Sequence, residues 1–135
     1  MVKLLIGKKG SGKTKKLIEL ATEALKNSNG NVVVVEKGSQ MTYNIPTQAR
    51  LVDADAYGVN GAAMALGFFS GLCAGNYDIT DILVDGTLRM VDLADLADFV
   101  AGLEKLSEES NTTIVLSVSA AESELPESVK ADILQ

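Results

Sequence analysis

The chain has no histidine and a single cysteine, Cys73. Without imidazole there is no Ser-His-Asp or Cys-His relay and no zinc site of the usual ligand sets, and one thiol cannot close an intramolecular disulfide. Any chemistry must therefore run on carboxylates, hydroxyls, lysine and a metal ion. Arginine is confined to Arg50 and Arg89, too few for a lid of several guanidinium groups over a transferred phosphoryl group. Charge is absent altogether from residues 56–77. That gap has the length of a membrane span, but glycines recur through it, Asn60, Ser70 and Asn76 interrupt it, and its flanks lack basic anchors. A buried helix over 61–74 fits better. Low-complexity tails and internal repeats are missing as well.

What remains is a 135-residue chain, 47% hydrophobic and 22% charged, with the size and composition of one globular domain spanning residues 1–135. Met1 leads directly into an apolar run, which leaves no room for a secretory signal and predicts a cytoplasmic location. The formal charge is −6, yet Lys8, Lys9, Lys13, Lys15 and Lys16 gather near the start. Local positive charge suits a polyphosphate, whereas the acidic remainder argues against a broad nucleic-acid footprint. Lys8 and Lys9 are accordingly read as solvated lysines beside a phosphate site.

That site is written in residues 7–14, GKKGSGKT, which match the phosphate-binding pattern GxxxxGK followed by Ser or Thr. The apolar run before it and the amphipathic run after it supply the strand and helix that the pattern requires. Backbone N–H groups of Gly7, Lys8, Lys9, Gly10, Ser11, Gly12, Lys13 and Thr14 can surround phosphate oxygens, and the helix dipole favours the negative charge. Lys13 would reach the β- and γ-phosphates, and the Thr14 hydroxyl would ligate Mg²⁺.

Along the chain, strands are expected at 2–6, 32–35 (closed by Glu36), 50–54, 79–85 and 112–118, with helices at about 12–27, 61–74 and 92–110. A short helix is expected over 126–134, with Pro126 in its first turn. Residues 37–48 read as a loop or short hairpin over the site. The alternation gives an α/β fold of three layers, a mostly parallel sheet of about five strands between helices. Asp85, at the carboxyl end of an apolar strand, stands where ligands gather in open α/β sheets and where a Mg²⁺ carboxylate would sit. Ser117 and Ser119 end the next strand. Gly67, Gly71 and Gly75 form a small-xxx-small row, which suits either close packing on the sheet or a homo-oligomer interface through the 61–74 helix.

With GKKGSGKT as Walker A and DILVD over 81–85 as Walker B, the chain resembles the P-loop NTPases. It is also similar to short bacterial P-loop proteins labelled twitching-motility ATPase-like, although it lacks the histidine-bearing motifs of the full motor ATPases. The resemblance implies Mg²⁺-dependent binding of ATP or GTP, with Lys13 on the phosphates, Thr14 on Mg²⁺ and Asp85 supporting the metal. No Asn-Lys-x-Asp guanine motif is present, which favours ATP. Many relatives carry a glutamate directly after the Walker B aspartate, where this chain has Gly86. Recombinase-like relatives place it at the end of the strand after the P-loop helix, where this chain has Glu36, the candidate catalytic base beside Lys13. The expectation is an ATP-binding protein with slow or partner-dependent hydrolysis. A small kinase using Asp53, Asp55 or Glu36, and a non-enzymatic interaction module with a vestigial site, are the alternatives.

Overall fold

The β-branched run after Gly30 has no polar alternation, so it is stable only with both faces covered. In the computed structural model, which describes residues 1–38, 44–129 and 131–134, that run is β2 (Asn31–Glu36), inside a six-stranded sheet. The other strands are β1 (Val2–Ile6), β3 (Arg50–Asp53), β4 (Ile79–Asp85), β5 (Thr113–Val118) and β6 (Asp132–Leu134). Their order across the sheet is β3-β2-β4-β5-β1-β6, and each pairing is parallel. Helix α1 (Lys13–Asn27) covers one face, while α2 (Ala62–Gly75) and α3 (Leu96–Ser110) cover the other.

Strand periodicity sorts the core between the two faces. Leu5, Val32, Val34, Leu83 and Val115 pack with Leu17 and Ala21 of α1. Leu4, Ile6, Val33, Val35, Ile82, Val84 and Leu116 pack with Phe69, Cys73, Phe99 and Leu103 of α2 and α3. Each such side chain contributes about 1.5–3 kcal/mol on burial. Phe69 links the two helices on its face, 6.2 Å from Phe99 between ring centroids. The same alternation turns Glu36, Asp53, Asp85 and Ser117, one position beyond Val35, Val52, Val84 and Leu116, toward the α1 face.

Three expectations need correction. The final segment is a strand: β6 pairs Ile133 with Leu4 and Leu134 with Leu5. Ile133 and Leu134 pack on opposite faces of the sheet, a period-2 pattern that a helix could not satisfy, and β1 gains a partner on its outer edge. Pro126 instead begins a turn closed by the Val129 N–H on its carbonyl at 3.0 Å. The sheet therefore has six strands. Second, α2 is buried only along Ala65, Phe69 and Cys73. A Cβ added at Gly67, Gly71 or Gly75 would meet nothing within 4 Å, so this row does not pack on the sheet. The glycine that lets two helices close is Gly102 of α3, where a Cβ would lie 2.7 Å from a Leu66 methyl. Third, the expected strand over 50–54 stops at Asp53, whose side chain accepts from the Asp55 N–H and starts a 3₁₀ turn over Ala54–Tyr57. Much of the 37–48 loop, residues 39–43, lies outside the described residues.

Gly30 marks the tightest backbone approach, since a Cβ there would sit 2.1 Å from the Asp78 carbonyl oxygen. That atom is main chain and cannot swing aside. Gly30→Ala is expected to destabilise the fold by about 1–3 kcal/mol, the usual cost of overpacking. Urea denaturation checks this; an unchanged midpoint contradicts it.

Candidate functional site

Strand β1 ends at Ile6, and the Gly7 N–H donates to the Ala120 carbonyl at 3.1 Å, which ties the loop to the chain just past β5. The loop then folds on the Lys8 carbonyl, which accepts from the Ser11 N–H at 3.0 Å and from Lys13 Nζ at 2.9 Å. Gly12 precedes α1 in the left-handed region, φ 90° and ψ 16°, a conformation costly for any residue with a Cβ. No side chain caps the helix and its first turn has no acid. Its N-terminal N–H groups and dipole are thus left for an external anion.

A cavity of about 550 Å³ opens over this helix end, lined by Lys9, Gly10, Gly12, Lys13, Thr14, Asp85, Gly86, Leu88, Arg89, Ser117 and Ser119. Topology makes the gathering. β5 lies between β1 and β4, so Ser117, paired in register with Leu5, stands between the loop and Asp85. Lys8 and Ser11 line a separate shallow depression with Gly7 and Glu122. A slightly larger groove of about 600 Å³ runs between α2 and β3, with Arg50 its one charged lining residue. Nothing in that groove matches the loop's concentration of donors and charge.

Two of the cavity's charged side chains, Lys13 and Asp85, are held largely out of water. Lys13 is 9% exposed and Asp85 7%. Burial pushes the Lys13 ammonium below the usual lysine range, an effect that the Asp85 carboxylate partly offsets. Lys13 and Asp85 form no ion pair within 4.0 Å, and the Asp85 carboxylate accepts no hydrogen bond from a described residue. A nearly buried carboxylate without a protein donor, across a cavity from an exposed threonine hydroxyl, fits a hard divalent cation with oxygen ligands. Thr14 and Asp85 are the residues that would hold it. Among the described residues no group of three or more His, Cys, Asp or Glu converges on one point, so the remaining ligands would be phosphate oxygens and water.

Glu36 is 1% exposed and pairs in register with Asp85 on one side and Asp53 on the other. It does not line the cavity surface. Asp53 is engaged elsewhere, its Oδ1 accepting from the Gly38 N–H at 2.8 Å and the Asp55 N–H at 2.9 Å. Sequence reasoning overlooked Arg89 as a residue of its own chain's site. The available signal was its position four residues after Asp85, close enough for one turn to bring it back. It also overlooked Thr87, whose hydroxyl is buried between Gly86 and Leu88 with no hydrogen-bond partner among the described residues.

Taken together, the sheet, its helices and the loop at the end of β1 have a P-loop NTPase-like fold. No protein-family model matches the sequence, and the search of curated proteins finds no match. Among solved structures, the chain is similar to the flagellar accessory protein FlaH from Methanocaldococcus jannaschii, with a TM-score of 0.61 and 18% sequence identity. The match covers 95% of this chain and 64% of the FlaH chain. Likeness at that identity concerns the fold alone. No helix among the described residues is long and apolar enough to cross a membrane.

The lowered Lys13 pKa has a consequence for stability. Between the folded value and the ordinary 10.5, the unfolded chain holds more protons at this position than the folded one, so raising the pH through that window favours folding. The stability of the nucleotide-free wild type relative to Lys13→Met should rise from about pH 7 to about pH 10. Paired urea titrations test this; a difference that stays flat or falls contradicts it.

Proposed function

We propose that the chain is a Mg²⁺-dependent ATP-binding protein that hydrolyses ATP slowly or only with a partner. The observation that carries this reading is the convergence of an uncapped helix end, the buried Lys13, Thr14 and the unpartnered Asp85 on one cavity. Backbone N–H groups of Lys9, Gly10, Gly12, Lys13 and Thr14, which line the cavity, bind the phosphates together with the Lys13 ammonium, while the Gly7 and Ser11 N–H groups are already given to carbonyls. Thr14 and Asp85 hold Mg²⁺, which, when bound, neutralises charge developing on the phosphate oxygens. Glu36, next to Asp85 in register, polarises the attacking water. Its burial, and Gly86 where many relatives carry a glutamate, support slow turnover, because the base does not stand open to the cavity.

A kinase reading finds less support. Asp53 already accepts two backbone N–H groups, and arginine near the cavity is limited to Arg89. A vestigial site would have had no reason to keep Lys13 desolvated and the helix uncapped, both of which cost stability when no anion is bound.

We further propose that the open face of α2 joins copies of the chain. Three of the exposed large apolar side chains lie on it or at its flanks: Tyr57 at 65%, Met64 at 53% and Tyr77 at 92%. The helix itself carries no charge in a chain of formal charge −6, and Arg50 is the one charged residue lining the groove beside it, so little like-charge repulsion opposes a meeting of copies there. A helix-interior glycine costs about 1 kcal/mol relative to alanine. At Gly67 and Gly71 an added Cβ would meet nothing within 4 Å among the described residues, so their packing does not call for glycine there, and close approach of a second helix would.

Calorimetry should detect Mg²⁺-ATP binding that Lys13→Ala abolishes. Glu36→Gln should retain binding while reducing hydrolysis, and wild-type turnover without partners should stay below ~1 s⁻¹. Faster turnover, or phosphate transfer to a metabolite hydroxyl in preference to water, refutes this assignment. For the α2 face, light scattering should show an oligomer that Gly71→Glu converts to monomer with ATP binding kept. A wild type that is monomeric at tens of micromolar removes the interface.

A further inference from the structure

We propose that Arg89 reads the terminal phosphate of the nucleotide within its own chain and so distinguishes a nucleoside triphosphate from a diphosphate. This rests on the nucleotide-binding reading above. Arg89 lines the same cavity as Lys13, Thr14 and Asp85. Its stem lies across Gly86, the residue directly after Asp85: a Cβ built on Gly86 would be 3.2 Å from Arg89 Cδ and 3.4 Å from Nε. Gly86 itself holds φ 67°, so the missing side chain permits both the turn and the passage of the arginine. Where the sequence shows an absent glutamate, the structure shows space kept for a cation.

The backbone of Arg89 is pinned while its head group is not. Its N–H donates to the Gly86 carbonyl at 2.9 Å, and its carbonyl accepts from Lys37 Nζ at 3.3 Å. The guanidinium forms no ion pair or hydrogen bond with any described residue. Had it served to neutralise Asp85, the two would pair. A guanidinium is a planar fork that binds two phosphate oxygens at once, and such charge-assisted bonds are stronger than neutral ones. Asp85 is the residue that would hold the metal beside the terminal phosphates, so a cation on the Asp85 side of the cavity would meet the end of the chain of phosphates. Lys13, held at the loop, contacts phosphate in both nucleotides.

Calorimetric titration of wild type, Arg89→Ala and Arg89→Lys with Mg²⁺-ATP and Mg²⁺-ADP tests this. Arg89→Ala is expected to lose about tenfold in ATP affinity, with ADP affinity within about twofold of wild type, and Arg89→Lys to fall between because it keeps charge but not the fork. Arg89 is exposed, so melting of the nucleotide-free variants should match wild type and exclude misfolding. Equal losses for both nucleotides, or none, overturn the role of Arg89 while leaving nucleotide binding intact if Lys13→Ala still abolishes it. A wild type that binds neither nucleotide overturns both readings.

Discussion

The parallel register of the sheet is the constraint on which everything else hangs. Each pairing is parallel, with helices laid over the sheet making the connections β1–β2, β3–β4 and β4–β5, so the strands' carboxyl ends share one edge. Register then decides which side chains meet there. Glu36 stands opposite Asp85 because Val35 stands opposite Val84, and Ser117 faces the loop because Leu5 pairs with it. The apolar positions that fill the core therefore also aim the polar ones. A one-residue slip in β4 would bury Asp85 under α2 and α3 and turn Val84 toward the loop.

Around the cavity, local stability is given up in several small ways at once. Helix α1 begins without a side-chain cap, Lys13 is desolvated, Asp85 lacks a donor, Thr87 keeps a buried hydroxyl without a partner, and Gly86 takes a left-handed turn. Elsewhere the described core is apolar and well covered. Groups with unmet demands of opposite sign are thus gathered in one place, which is where local and global preferences part company at a functional site.

Much of this was legible in the sequence because it depends on local pattern. The glycine spacing of residues 7–14, the β-branched run of β2 and the acid ending β4 each follow from a few neighbouring residues. The failures came where tertiary context decides. Residues 126–134 offered a proline and a few apolar side chains, and only the unpaired edge of β1 makes a strand of Asp132–Leu134. The row Gly67, Gly71 and Gly75 looked like packing glycines, yet the helix contact is made at Gly102 against Leu66, which no spacing rule singles out. Arg89 was missed as a site residue because its spacing from Asp85 gains meaning only with the missing side chain at Gly86, a relation between a turn and the stem that crosses it.

The position of β1 between β5 and β6 also sets an order of assembly. Strand β1, which leads into the 7–14 loop, precedes the other described strands, and its two neighbours are the last of them. As synthesis proceeds, β2, β3 and β4 can pair among themselves, while β1 waits for residues more than a hundred positions downstream. Such long-range closure is slow and leaves an apolar edge exposed in the interval. The 7–14 loop is thus shaped only once the strands that flank β1, both of which follow it in the chain, are in place.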